Sequence, residues 1–420
     1  MPTIRIALLV LAITASHALP AQDYQTACLS FYNLENLFYP RDEVDVIPLD
    51  AFKAMDRSQT VVVEKTEAIE EMMDGLADID LNRVQDFDTL GDRANITVPA
   101  DGIPGIPDGT PVLLKDVRDD DNTEEGYRLY TDAVYADKLD RLAHAISLIG
   151  TDFTPDGPAV LGVSEVENAA VLRDLAAHPD LADRGYEVIH YNSIDNRGVD
   201  VGLLYRPDYF TPTASRAVWV DLWDHRKESR RERRSFTRDV LYVEGELLGE
   251  TVHILVNHWP SRWGGTAASS YRRETAARTC RRIVDDILAD DVDANVIVMG
   301  DLNDDPVNRS VTVELDAHGD IDRLGDGQLY NPWVDDYRRG YGSLSYGGTW
   351  NLFDQVIVSQ GLLDDEGWAF FDEQLTYDRS LMVRAGNYAE GPLRAYGGSR
   401  YQMGYSDHLP ASVYLVRPLN

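Results

Sequence analysis

Residues 296–306 read VIVMGDLNDDP. The apolar run Val296–Met299 has no polar interruption, which is the pattern of a strand buried on both faces of a sheet. With Asn295 it predicts a strand over 295–299 that ends in Gly300–Asp301–Leu302–Asn303. Asp, Asn and Pro306 suit a turn, so the segment reads as a buried strand delivering an acid and an amide to its own end.

The same arrangement recurs along the chain. A strand over 27–32 ends in Asn33, and one over 159–163 runs to Glu165. A strongly apolar strand at 251–256 ends in Asn257–His258. A strand at 353–358 starts beside Asp354, and one at 411–416 follows Ser406–Asp407–His408. Ligands bind in the crevice at strand ends in open α/β sheets. Six strand ends carrying these groups predict one acidic, imidazole-bearing pocket.

Between these strands the periodicity changes to that of helices. Leu139, Leu142, Ala143, Ile146 and Ile149 predict a helix ending at Gly150. Asn168 is placed to cap a second helix running to about Ala177, and a third spans about 268–289. Further strands are expected at 186–191, 199–205, 214–220, 236–244 and 344–349. There are more strands than simple βαβ units need, which points to a mixed α/β sandwich. Residues 41–126 differ, with 23 acids against 8 bases. Ile69, Met72, Met73, Leu76 and Ile79 predict one amphipathic helix over 61–79 there, and the rest reads as loop within an acidic insertion. Asp119–Asp121 and Thr123 resemble the start of a calcium loop, but Glu124 and Tyr130 stand where Gly and Glu are required. A looser Ca²⁺ site in the insertion is the remaining alternative.

Residues 1–21 have the layout of an export signal. Arg5 precedes the apolar run Ile6–Ile13, followed by the small residues Ser16, Ala18 and Ala21. The run is shorter than the roughly 20 residues that span a bilayer, so a cleaved peptide is expected rather than a membrane anchor. The expected product is secreted or periplasmic, with 22–420 forming one domain. Cys28 and Cys280 are the only cysteines, too few for a disulfide framework, and their pairing stays open.

Composition narrows the partners. The chain holds 72 Asp and Glu against 39 Lys and Arg, a formal charge of −33. A basic nucleic-acid coat is excluded, but a polyanionic substrate is not if positive charge is concentrated locally. Residues 225–238 hold seven Lys or Arg against two Glu, and 262–282 hold six Arg against one Glu. The second stretch follows His258, with Trp259 and Trp263 beside it. Arg for phosphates and Trp for stacked bases predict a nucleic-acid track, with Arg262 as its nearest contact.

The strand-end residues suit one chemistry. Glu165 and Asp407 are hard oxygen ligands for Mg²⁺ or Mn²⁺. Asn33 and Asn303 can support the metal or donate to a phosphoryl oxygen without adding charge. Asp301 can orient or deprotonate a water, and Asp354 can hold one ring nitrogen of His408. Zinc is disfavoured, since there is neither a Cys cluster nor an HExxH sequence. His144, His178, His190, His225, His253 and His318 lack such context and read as structural or solvent-exposed.

Seven segments in one order resemble the endonuclease/exonuclease/phosphatase superfamily of metal-dependent phosphoesterases. They are FYNLENLF (31–38), GVSEVEN (162–168), DNRGVDVGLLYR (195–206), LVNHWPSRWGG (255–265), VIVMGDLNDDP (296–306), WNLFDQVIVS (350–359) and YSDHLP (405–410). The resemblance implies a four-layer α/β/β/α sandwich of two packed mixed sheets with the site at the sheets' ends. It implies Glu165 as the principal metal ligand, with Asn33 and Asp407 completing the metal site. Asp301 would orient the water, Asn303 contact the phosphate, and Asp354 pair with His408. His258 matches a second histidine of pancreatic-type deoxyribonucleases and bacterial sphingomyelinases, and Arg197 lies in a segment that often supplies a phosphate contact. The inositol-polyphosphate 5-phosphatase run Trp-Cys-Asp-Arg is absent, since 350–354 read WNLFD. The expectation is a monomeric, exported phosphodiesterase cleaving DNA or RNA, with no protein partner implied. The alternatives are a sphingomyelinase-like or phospholipase C-like lipid phosphodiesterase, a phosphatase, or a catalytically silent binding module with the same fold.

Overall fold

Side chains of the first strand, β1 (Tyr24–Leu37), divide between two cores. Ala27, Leu29 and Phe31 enter one apolar cluster, while Tyr32, Leu34 and Leu37 enter another. A strand covered on both faces needs apolar residues at successive positions, which is why β1 reads as a run rather than an alternation. The structure is a computed structural model that describes residues 24–39, 61–63, 95–99, 111–115, 131–193, 195, 198–223, 234–235, 237–364, 367–384, 391–397 and 400–419.

After β1 come helix α1 (Asp132–Leu148), β2 (Val160–Val166) and α2 (Ala169–Ala176). Thr131 caps α1 by accepting from the Val134 N–H. Asn168 caps α2 through the N–H groups of Ala170 and Val171, as its sequence position predicts. Strands β3 (Glu187–His190), β4 (Asp200–Tyr205), β5 (Phe210–Val218), β6 (Val240–Leu247) and β7 (Glu250–His258) follow. Helix α3 (Thr266–Asp290) then leads to β8 (Val296–Asp301), β9 (Asp354–Val358), β10 (Ala369–Leu375) and β11 (Ala411–Pro418).

Two mixed sheets result. The six-stranded sheet has the order β10-β11-β1-β2-β4-β3, with β1 and β2 parallel. The seven-stranded sheet runs from two short edge strands, Ala317–His318 and Leu329–Tyr330, through β9-β8-β7-β6-β5, with β7 and β8 parallel. Leu29, Phe31 and Val413 of the first sheet meet Ile254, Val256, Met299 and Val356 of the second in one core. Leu142 and Ile146 of α1 and Leu172 of α2 cover the first sheet's other face. Ala276, Cys280, Ile283 and Val284 of α3 cover the second against Leu255 and Val298. The order of layers is therefore α/β/β/α.

Three expectations change. Residues 344–349 form no single strand: Gly347 and Gly348, both at positive φ, turn the chain into a hairpin of Leu344–Tyr346 and Thr349–Asn351. Strand β10, which sequence patterning did not single out, pairs with β11 through a register shift between Phe370 and Asp372. Val61–Val63 is a strand rather than the start of a helix, pairing with Pro111–Lys115, which pairs in turn with Asn95–Pro99. Residues 64–79 of that expected helix lie outside the described residues, as do the export signal at 1–21 and the calcium-loop-like segment at 119–130. Among the described residues no helix is long and apolar enough to cross a membrane. Both cysteines are buried and free, Cys28 on β1 and Cys280 on α3, and burial pushes their thiols up to about 11 and about 12.

Candidate active site

Strand register builds the first row of the site. The parallel pairing of β7 with β8 sets His258 opposite Asp301, and the antiparallel pairing of β8 with β9 sets Asp354 opposite Asp301. Gly300 lets this row close up, because a Cβ there would lie 2.3 Å from the Asn257 carbonyl oxygen. From the facing sheet, β1 and β2 pair in parallel with Asn33 opposite Ser164. The β2–β4 ladder then slips between Ser164 and Val166, and the residue in the slip is Glu165 at φ 60°. Such bulges re-aim a side chain, and a non-glycine residue held in the left-handed region carries strain that the surroundings must offset. Asn303, at φ 49°, is held in the same way after β8.

The two rows touch through Asp301. The Asn33 amide donates to Asp301 Oδ2 at 3.1 Å, and the Asn303 N–H donates to Oδ1 at 2.9 Å. His258 Nε2 lies 3.6 Å from Asp301 Oδ2 and 3.8 Å from Glu165 Oε1. His408 Nε2 lies 3.8 Å from Asp301 Oδ2 and 3.9 Å from Asp407 Oδ1. On its other side, His408 Nδ1 bonds Asp354 Oδ2 at 2.6 Å. Ser343 Oγ donates to that same Oδ2 at 2.5 Å, and Leu344 bridges to His408 through backbone pairing. One carboxylate oxygen thus faces two imidazole nitrogens, one of them backed by a fully buried second carboxylate.

Burial sets the electrostatics. It pushes the Asp301 carboxyl up to about 7, with Asp354 and Glu165 adding to the rise while His408 and the Asn303 N–H oppose it. Burial alone would depress His408, but the carboxylates of Asp354 and Asp301 overcome it and hold the imidazolium well above its usual range. Glu165, Asp301, Asp354 and Asp407 crowd negative charge into a half-sealed mouth. Among the described residues no group of three or more His, Cys, Asp or Glu side chains is placed to hold a metal ion. Oxygen donors in an excess of acid fit a hard divalent cation that takes one or two carboxylates and keeps its waters.

The structure brings together eight of the ten residues singled out from sequence: Asn33, Glu165, His258, Asp301, Asn303, Asp354, Asp407 and His408. Arg197 lies outside the described residues. Arg262 is turned inward. Its guanidinium bonds Asp304, Asp305 and Asn308 at 3.0–3.1 Å, its Nε donates to the Asn303 carbonyl, and it stacks on Phe353. It braces the Asn303 loop, which corrects the expected substrate contact. The rest of the expected track is corrected in part. Arg273 is fully buried with Nε 2.8 Å from Asp304, and Trp259 is 2% exposed, donating to Asn257 Oδ1. Asp304 is an internal acid that draws in both arginines, and a sealed indole cannot stack a base. Trp263 remains 78% exposed. Most of the first basic stretch, 225–238, lies outside the described residues, apart from the backbone of 234–235 and residues 237–238.

Sequence patterning assigned no role to Arg238 or Glu35. Arg238 pairs with Asp195 at 3.0 Å and donates to the carbonyls of His258 and Trp259, fixing the end of β7. Glu35 is 3% exposed at φ 48°, and its N–H donates to Asn33 Oδ1, setting the amide that reaches Asp301. Its only sequence signal is its place inside FYNLENLF.

A model of the Endonuclease/Exonuclease/phosphatase family matches residues 114–417. No curated protein matches the chain. Among solved structures, an endonuclease/exonuclease/phosphatase family protein from Bacteroides thetaiotaomicron is 14% identical, with TM-score 0.44, covering 70% of this chain and 95% of that one. D. rerio TDP2 complexed with a single strand DNA product is 15% identical, with TM-score 0.42, covering 67% and 92%. A Bacteroides thetaiotaomicron VPI-5482 mannosyl-6-phosphatase is 15% identical, with TM-score 0.41, covering 69% and 96%. The family match spans most of the chain, and on that ground the chain belongs to the endonuclease/exonuclease/phosphatase family.

Proposed function

We propose that this chain, as a member of a family of phosphoric ester hydrolases that generally use divalent metals such as Mg²⁺, is an exported phosphodiesterase acting on DNA or RNA with Mg²⁺ or Mn²⁺. The observation that carries the reading is the shared carboxylate: Asp301 Oδ2 faces both His258 Nε2 and His408 Nε2, at 3.6 and 3.8 Å. A base and a separate proton donor around one reacting centre are what in-line attack of water on a phosphodiester requires.

A divalent cation held by Glu165 and Asp407, with Asn33 in support, would polarise a phosphoryl oxygen. Asp301, raised toward neutrality, accepts a proton from the attacking water. As the new P–O bond forms and the ester P–O bond breaks, His408 delivers its Nε2 proton to the leaving oxygen. Asp354 holds the opposite ring nitrogen and keeps that proton on Nε2. His258 occupies the flank between Glu165 and Asp301, where it donates to a second phosphoryl oxygen. Asn303 spends one amide N–H on the Trp259 carbonyl and has its second for the phosphate. Trp263, exposed beyond the end of β7, supports a nucleic-acid substrate as a surface on which a base can stack.

The test is hydrolysis of DNA, RNA, sphingomyelin and a generic phosphodiester, with and without EDTA. Loss of DNA or RNA that EDTA stops supports the proposal. Turnover of sphingomyelin alone replaces the substrate, and no turnover of any substrate refutes catalysis. Glu165→Ala, Asp301→Ala and His408→Ala should each lower activity by about 10²-fold or more while the circular dichroism spectrum is kept. Near wild-type activity in any two would dismantle the assignment.

A further inference from the structure

Glu35 does more than orient Asn33. Its carboxylate accepts the backbone N–H groups of Ala395 and Tyr396, at 2.6 and 3.0 Å, from the segment between β10 and β11. Lys138, fully buried on α1, donates to the Glu35 carbonyl at 2.8 Å and stands over the Tyr396 ring. Tyr396 is itself buried and packs on Tyr401. Backbone bonds fasten the neighbouring residues too, since the Leu393 N–H donates to the Leu381 carbonyl and the Tyr405 N–H to the Leu393 carbonyl. The residue between these anchors is Arg394. Its side chain, 39% exposed, reaches Asp407, with Nη2 3.2 Å from Oδ2.

This places a cation against an acid that the proposed function gives to the metal. An exposed arginine–carboxylate pair contributes little to stability, so holding one here through a buried latch calls for another use. The guanidinium is planar, always charged and matched to phosphoryl oxygens in a two-pronged geometry. We propose that Arg394 is a substrate-phosphate-binding residue, kept at the mouth by Glu35, whose pairing with Asp407 is exchanged for the phosphate of the substrate. In the resting protein Arg394 competes for Asp407. Once a cation engages that carboxylate, the guanidinium turns to the incoming phosphate a side-chain rotation away. Glu35 acts through the backbone of 395–396 and is a positioning residue.

The inference rests on Asp407 being a metal ligand, and the experiment separates the two ideas. Mn²⁺ binding is measured by calorimetry without substrate, and steady-state kinetics use bis(4-nitrophenyl) phosphate. Arg394→Ala should raise KM by about tenfold with kcat largely retained, the loss expected when one charge-assisted contact to bound substrate is removed. The same variant should bind Mn²⁺ more tightly, because the competitor for Asp407 is gone. Opposite movements of substrate and metal affinity are not what local loosening produces, since that weakens both. Arg394→Lys should fall between wild type and Arg394→Ala in KM, and Glu35→Gln should raise KM by unseating the segment. An unchanged KM in Arg394→Ala, or weaker Mn²⁺ binding, overturns the assignment of Arg394. Wild-type Mn²⁺ affinity in Asp407→Asn removes the premise itself.

Discussion

Within the site, the informative residues are those whose charge state depends on a neighbour. His408 is cationic because Asp354 and Asp301 outweigh the cost of burying it. Its folded pKa lies above that of the free side chain, so the stability it contributes is complete below about pH 6.5 and is lost as pH rises through the folded value. The proton-donating form follows the same sign, and activity should fall on the alkaline side. Asp354→Asn removes the strongest support and should move that alkaline limb to lower pH in a kcat/KM profile. A limb unmoved by the substitution would take proton donation away from His408. Such residues differ in how far sequence reveals them. Asp301 and Asp354 stand at the ends of apolar runs and are legible as strand-end acids. Glu35 is not, because its partners are backbone groups of residues 395 and 396, a separation no local pattern encodes. Arg262 and Arg273 were legible as cations but not as internal ones, since the acid that claims both, Asp304, lies in a different segment.

For the strands, register matters more than propensity. The row His258–Asp301–Asp354 exists only while β7, β8 and β9 keep their alignment, and at Gly300 of β8 a side chain would run into the backbone of β7. Gly300→Ala would push a methyl group into the Asn257 carbonyl. The expected cost is about 1–3 kcal/mol, by analogy with overpacking, together with loss of activity as His258 and Asp301 move apart. Thermal unfolding with an assay on the same sample checks it, and an unaffected midpoint would show that the strands can yield. Long buried strands and capped helices are readable because burial on both faces demands uninterrupted apolar runs. The 344–351 hairpin misleads for a definite reason, since its two strands are three residues each and only the Gly347–Gly348 pair marks the turn. Strand β10 escapes because it is an edge strand carrying Asp372 and Glu373, which blur its alternation.

Across the molecule, charge and site belong to different regions. The formal charge of −33 includes the 23 acids and 8 bases of residues 41–126, so about half of it comes from one insertion. Arg238, Arg262 and Arg273 beside the site are held by internal acids, whereas Arg394 at the mouth stays partly exposed. A body so acidic repels a polyanion at long range, and salt screens that repulsion within roughly 10 Å at 0.1 M. Hydrolysis of DNA or RNA should therefore tolerate or gain from added salt, measured as initial rates from low to moderate ionic strength. A steep monotonic loss, as counterion release gives for basic nucleases, would contradict this.

β1 is flanked by β2 on one side and by β11 on the other, with Tyr24 aligned to Pro418 and a Ser30–Ser412 bridge of 2.7 Å at a sequence separation of 382. The consequence is temporal. A central strand whose partner lies so far along the chain cannot finish pairing until that partner has been synthesised and has found it, and contact order of this kind slows folding. Asn33 rides on β1, while Asp407 and His408 immediately precede β11, so the pocket closes in the same event that zips the sheet. Until β1 and β11 have paired, the chain holds the acids and imidazoles of the pocket without their juxtaposition.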